Sequence, residues 1–277
     1  MEVGIGLPNA VRGAQAEQLV EWAKRADAAG FSSLGTIDRI VYPSYEPLVS
    51  LAAAAAVTER IRLATAILIA PIRGSAGALA KQAASVHAIS GGRLVLGLAV
   101  GGREDDFEAA GVPFGERGKR MDEMLAEMKD VWSNDETRPG DTPQVIIGGH
   151  VDAAYRRAAE HGEGWIMGGG TPEALAGGKA ETEKAWKAAG REGSPRIMAL
   201  AYYGLGDGAE ETATKSLKDY YGWLGEYADQ IAASAATDAD TVKGYLAGFA
   251  EAGCDELIIF PTSADPEQVD LLAEVAL

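Results

Sequence analysis

Asp38 and Arg39 stand side by side where the short apolar segment Leu34 to Asp38 ends. A guanidinium in that position can hold an anion, polarise a carbonyl, or pair with a carboxylate at a rim. His150 follows Gly148-Gly149, and an imidazole there can act as base or donor, or cap a helix opening at Asp152. The other histidines sit in plainer settings. His87 lies in a helical run among apolar residues, and His161 precedes Gly162 at a helix end, where a cation suits the dipole. Thr65 places a hydroxyl inside the apolar run LATAILIA, to bond neighbouring backbone or touch a ligand. Tyr202 and Tyr203 end another such run, and strand alternation turns one of them inward. Glu104-Asp105-Asp106 reads as a solvated loop face from which one carboxylate could reach a site. Nothing near Cys254 in AGCDELIIF would activate its thiol.

Glycines collect at Gly101-Gly102, Gly148-Gly149 and Gly168-Gly169-Gly170. The last two turns run into helices opening at Asp152 and, through Thr171, at Pro172, so their amides can cradle phosphate; the alternative is a set of tight turns. GLAVGG is not a dinucleotide fingerprint, because its spacing is wrong and an acidic loop is expected after it. No Ser-His-Asp order, paired-carboxylate motif or metal spacing stands out. Few reactive side chains beside glycine-lined turns suit an enzyme whose chemistry resides in a cofactor.

The elements that must position these residues alternate along the chain. Strands are expected at Val3 to Leu7, Leu34 to Asp38, Arg62 to Ile69, Leu94 to Val100, Val145 to Gly148, Gly164 to Met167, Arg196 to Tyr203 and Leu257 to Phe260. Several are apolar throughout, as parallel strands buried on both faces must be. Helices are expected from Gln18 to Gly30, Pro47 to Arg60, Ala76 to Ile89, Gly115 to Trp132, Asp152 to His161, Pro172 to Ala189, Glu210 to Ala233, Ala239 to Ala252 and Pro266 to Ala276. Eight strands alternating with helices give a (β/α)8 barrel, with extra helices between strands seven and eight; an open doubly wound sheet is the alternative. No linker breaks the chain, so residues 1–277 form one domain. In such a barrel, ligands sit at the carboxyl ends of the strands.

Hydrophobic residues make up 47% of the chain, ample for a core. A net charge of -16 repels phosphate backbones and anionic headgroups, so neither nucleic acid nor membrane is an expected partner. No apolar run is long enough to span a bilayer, and MEVGIGLPN lacks the features of a signal peptide. A single cysteine permits no intrachain disulfide and fits the cytoplasm, and three histidines with one cysteine argue against a His/Cys metal site.

LAAAAAVTERIRLATAIL, AKQAASVHAISGGRLVLGLAVGGREDDFEAAGVPFGERGKRMDEML and VIIGGHVDAAYRRAAEHGEGWI resemble segments of luciferase-like monooxygenases and their deazaflavin-dependent relatives. The resemblance runs from GIGLP to AGCDELIIF and is densest from Leu51 to Met124. It implies a (β/α)8 barrel holding FMN or the deazaflavin coenzyme F420, with its lactyl-oligoglutamate tail, at the carboxyl ends of the strands. It also implies that Thr65, Ala66 and Ile67 back the ring, with a non-prolyl cis peptide at Ala66-Ile67. Gly148, Gly149, Gly168, Gly169, Gly170 and Thr171 would form the phosphate-side turns, with Gly101 ending strand four. Asp38, Arg39 and His150 are the catalytic candidates. Two positions depart from the family pattern. Arg39 replaces a frequent histidine, which counts against dehydrogenase roles that rely on it, and Gly102 replaces a frequent aromatic, which opens the pocket.

The resulting expectation is an F420-dependent oxidoreductase transferring a hydride to or from a small organic substrate. A deazaflavin lacks the ring nitrogen that supports oxygen activation. The alternative is an FMN-dependent monooxygenase supplied with reduced flavin by a separate reductase. Arg12, Arg39, Arg73 and Arg103 could supply cations for a polyglutamate tail. A catalytically idle flavin-binding barrel and a phosphometabolite isomerase are further alternatives, and the isomerase would need an acid/base pair that is not found. The alanine-rich helix from Pro47 is compatible with a homodimer, which relatives commonly form.

Overall fold

The computed structural model describes residues 1–277. Nine strand segments, β1 (Glu2–Gly6), β2 (Ser33–Thr36), β3 (Arg62–Thr65), β4 (Leu68–Ile69), β5 (Leu94–Ala99), β6 (Gln144–Gly148), β7 (Gly164–Met167), β8 (Arg196–Tyr203) and β9 (Glu256–Pro261), form a single sheet. Every pairing is parallel, and β3 and β4 both pair with β5, which closes the sheet. β3 and β4 are therefore two halves of one stave, and the molecule is an eight-stave (β/α)8 barrel, as the strand alternation predicts.

Eleven helices surround it: α1 (Ala16–Ala29), α2 (Pro47–Ala55), α3 (Ala76–Ile89), α4 (Glu104–Ala109), α5 (Arg117–Ser133), α6 (Asp152–His161), α7 (Pro172–Ala188), α8 (Ala209–Tyr221), α9 (Tyr227–Ala233), α10 (Ala239–Glu251) and α11 (Glu267–Ala276). None is long and apolar enough to cross a membrane. The doubled excursion between β8 and β9 is present, but the run expected from Glu210 to Ala233 breaks at the turn Gly222–Leu224. A second correction concerns Glu104-Asp105-Asp106, which opens the short helix α4 instead of forming a solvated loop. Three acids in a first turn suit the helix dipole, and Phe107 is buried with Ile69 and Ile72. Six residues are too few to show a 3.6-residue period.

Inside the barrel, Ala64, Val95, Ile146, Ile166, Met198, Ile258 and Phe260 interdigitate as one cluster. A larger cluster fills the layer between strands and helices, with Trp22, Phe31, Trp165 and Phe249 fully buried. At the amino end of the barrel Glu256 has no solvent exposure. It accepts from Arg62 at 3.1 Å, Arg196 at 2.8 Å and the Ser32 hydroxyl at 2.5 Å. This network closes the end of the barrel remote from the expected site.

Asp27 of α1 ties that helix to the turn before β3, accepting the backbone N–H groups of Glu59 at 2.9 Å, Arg60 at 3.2 Å and Ile61 at 2.7 Å. Burial works to raise its pKa, but the three amides and Arg60 outweigh it and hold the carboxyl below its usual range. A depressed folded pKa means that the stabilisation is present above the unfolded value, about 3.9, and is lost as pH falls through the folded value. Asp27→Asn should therefore flatten the acid limb of a stability curve below about pH 4. An unchanged limb, measured by urea unfolding at stepped pH, would mean that the Asp27 charge does not matter.

Candidate active site

The mouth of the barrel is shaped by the break between β3 and β4. The Thr65 hydroxyl donates to the Gly97 carbonyl at 2.7 Å and the Ala66 amide donates to the Thr36 carbonyl at 2.8 Å, after which the Ala66-Ile67 peptide is cis. The bulge thus lies at the bond implied by the family resemblance. A Cβ on Gly97 would lie 2.0 Å from the Thr65 carbonyl oxygen, so the neighbouring stave must carry glycine there. Ala66 is buried, whereas Ile67 is half-buried, with its Cδ1 beside Gly148 and Gly168. The bulge therefore presents an apolar side chain to the mouth.

Asp38 lies two residues past the end of β2 and is buried; its carboxylate accepts from the Ile69 amide at 2.8 Å and from Arg73 at 2.5 Å. Burial pushes its carboxyl up, and Arg73 with the Ile69 amide pulls against that. Arg39 donates from Nε to Asp106 at 2.9 Å and from Nη2 to the Val41 carbonyl at 2.7 Å, while Nη1 is buried without a partner. Its guanidinium lies 5.5 Å from the Tyr42 ring centre and 5.3 Å from that of Tyr220. Asp106 is fully buried and also accepts the backbone N–H groups of Ile40 and Val41. The carboxylate thus anchors the loop after β2 and does not face solvent.

The other arginines expected at the mouth are engaged as well. Arg12 pairs with Asp219 at 2.7 Å, Arg73 with both Asp38 and Glu46, and Arg103 with Asp105. None of the four is left as a free cation.

A cavity of about 480 Å³ opens at the carboxyl ends of β6, β7 and β8. The turn Gly168 to Thr171 and His150 form one side; Tyr202, Tyr221, Tyr227 and Ile231 form the other. No lysine, arginine, aspartate or glutamate lines it. Tyr202 and Tyr221 join hydroxyls at 2.6 Å, and burial pushes both phenols up, so the pair is neutral. Gly169 and Gly170 have φ of 108° and 137°, a backbone that carries their amides to the amino end of the 17-residue α7. The amides of Gly169, Gly170 and Thr171 donate to no protein acceptor. The Thr171 hydroxyl caps the helix by accepting from the Ala174 amide.

The structure brings Ile67, Gly148, His150 and Gly168 to Thr171 to one mouth. Thr65 and Ala66 lie beneath it, and Gly101 packs outside it against Ile69 and Phe107. Tyr221, Tyr227, Gln230, Ser234 and Tyr245 line the cavity from the β8–β9 excursion, and sequence reasoning missed them. Their one signal is the density of tyrosines in an otherwise polar stretch. The remaining candidates are structural. His87 Nδ1 lies 3.3 Å from the Leu94 carbonyl, and burial pushes the Cys254 thiol up to about 12.

Comparison with known proteins agrees with this geometry. A family model described as luciferase-like monooxygenase matches residues 1–252. An uncharacterized protein of Mycobacterium tuberculosis is 33% identical over 236 residues, covering 71% of this chain and 81% of its own. An F420-dependent glucose-6-phosphate dehydrogenase of Amycolatopsis mediterranei is 28% identical over 179 residues, covering 55% of this chain and 53% of its own. In fold, the chain superposes on an F420-dependent secondary alcohol dehydrogenase with a TM-score of 0.82 at 18% identity, covering 99% of this chain and 97% of that one. The protein belongs to the luciferase-like monooxygenase family.

Proposed function

We propose that the protein is an oxidoreductase that binds coenzyme F420 at the carboxyl-end mouth and moves a hydride to or from a small, uncharged organic substrate. The observation that carries a flavin-type cofactor is the meeting of three features at one opening. These are the apolar Ile67 bulge, a cavity of about 480 Å³ without charged side chains, and three amides without protein acceptors. A cavity of this volume lies within the usual range for cofactor and ligand sites. Ile67 would support a flat ring, and Gly169 to Thr171 would receive a phosphate at the dipole of α7.

F420 supplies two-electron hydride chemistry when bound. The chain then has to orient the substrate, exclude water and move a proton. Tyr202 and Tyr221 offer a neutral wall, which favours an uncharged substrate over a phosphorylated one. His150, at the rim, is the group that can exchange a proton with solvent; partial desolvation of its ring lowers its pKa, which favours the neutral imidazole that can accept one. Asp38 and Arg39 hold the loop after β2 through Arg73 and Asp106, and so act on the site by positioning.

FMN is the second reading, and one observation favours it. The four arginines that could bind a polyglutamate tail are all paired with carboxylates. A monooxygenase of this kind would draw reduced flavin from a separate reductase. Calorimetric titration with oxidised and reduced F420 and FMN decides between them. Tight binding of F420 alone supports hydride transfer, preference for FMN supports the monooxygenase, and binding of neither removes both. Gly170→Asp should weaken the bound cofactor at least about tenfold, about 1.4 kcal/mol, because it places a carboxylate at the phosphate seat and because a side chain at φ 137° strains the turn that aims the amides. Equal affinity would mean that the phosphate lies elsewhere.

A further inference from the structure

Two hydroxyl groups that share one hydrogen bond leave one hydrogen over. Tyr202, at the carboxyl end of β8, and Tyr221, the last residue of α8, bring their phenol oxygens to 2.6 Å, and neither oxygen has another hydrogen-bond partner in the protein. Each phenol carries a single hydrogen and can accept as well as donate. One therefore donates to the other, and the hydrogen of the accepting hydroxyl has no acceptor in the protein. Both rings line the cavity of about 480 Å³ at the mouth, so a molecule in that cavity can receive it.

Position and charge decide which hydroxyl is left over. Tyr202 is 8% exposed and lies against Phe260, whereas Tyr221 is half-buried. Burial pushes the Tyr202 phenol well up, and nothing offsets it. For Tyr221 the hydrogen bond accepted from Tyr202 and the Arg39 guanidinium pull against burial. Tyr202 is thus the donor within the pair, and the free hydrogen belongs to Tyr221. A hydroxyl that accepts one hydrogen bond gives a stronger one in turn. The end of α8 that carries it is fixed, because Asp219 accepts from Arg12 at 2.7 Å and from the Tyr42 hydroxyl at 2.5 Å. Elsewhere on this wall the Ser234 and Tyr245 hydroxyls already donate, to the Ile231 and Ser234 carbonyls.

We propose that Tyr221 grips the substrate, and that the substrate is a carbonyl compound, a ketone, aldehyde or enone, whose oxygen accepts the Tyr221 hydrogen bond. A carbonyl oxygen brings lone pairs and no hydrogen, which matches a wall with one fixed donor and no charge. Calling this molecule a substrate rests on the hydride-transfer reading, whereas its binding does not.

Titration of the whole protein with acetophenone tests this, with styrene as the flat probe that lacks the oxygen. Acetophenone is expected to bind saturably with a Kd below about 1 mM, and Tyr221→Phe to weaken it about fivefold, the worth of one hydrogen bond, about 1 kcal/mol. Styrene should bind both proteins alike, and the melting temperature should hold, since the ring remains. Tyr202→Phe keeps the gripping hydroxyl and should lose only about twofold. The infrared band of carbonyl-13C acetophenone should lie at lower frequency in the parent than in Tyr221→Phe, a shift that a merely structural tyrosine would not produce. The proposal is overturned by no saturation up to about 10 mM, by equal acetophenone affinity in parent and Tyr221→Phe, or by an unmoved carbonyl band. Cofactor titration of the same proteins separates the two readings. Cofactor binding without the acetophenone effect removes this proposal alone, and the acetophenone effect without cofactor binding removes the oxidoreductase and leaves the carbonyl site.

Discussion

Asp106→Ala is expected to destabilise the protein by about 3–5 kcal/mol, the cost of stripping a buried ion pair of one member. The Arg39 side chain is 3% exposed and that of Asp106 fully buried, so water cannot replace the lost carboxylate. The Ile40 and Val41 amides lose their acceptor in the same step. Arg39 already carries one unpartnered nitrogen and would be left with the Val41 carbonyl, two tyrosine rings and the more distant Asp105 carboxylate at 3.8 Å, which is shared with Arg103. Urea unfolding measures the loss directly. Asp106→Asn keeps an acceptor for the amides and should lose less. A loss below about 1 kcal/mol for the alanine variant would place the pair among solvated surface bridges.

Gly97→Ala should cost about 3 kcal/mol, the upper end of the range for overpacking a tight interior. The new methyl group would fall 2.0 Å from the Thr65 carbonyl oxygen, which is backbone and cannot swing away as a flexible side chain would. Relief requires β3 to move from β5, and that movement also displaces Thr65, whose hydroxyl bonds the Gly97 carbonyl. Stability and cofactor affinity should therefore fall together in this variant. Unchanged unfolding would show that the bulge adjusts without loss.

The strands were legible because most of them are apolar from end to end, and the barrel followed from their number. The split of the third stave was legible only through the family resemblance, since LATAILIA is an unbroken apolar run. Arg39 was recognisable as a rim residue, but its partner was not. Asp106 lies 67 positions away in a helix too short to show a period. The same distance effect hid the fate of Arg12, whose carboxylate is 207 residues along the chain. Spacing predicts which residues share a turn, and tertiary packing alone decides which charges meet. Tyr202 was legible as an inward candidate at the end of its strand, but Tyr221 and Tyr227 were not, because the β8–β9 excursion reads as a polar helical stretch that is in fact broken at Gly222–Leu224.

If the proposed flat cofactor ring rests on Ile67 at the mouth, titration of Ile67→Asp against the parent protein will register the loss of that support. A carboxylate beneath the ring should weaken whichever cofactor the parent binds by about a hundredfold, some 2.7 kcal/mol, while the half-buried position leaves the melting temperature little changed. Equal affinity in the two proteins would move the ring away from the bulge.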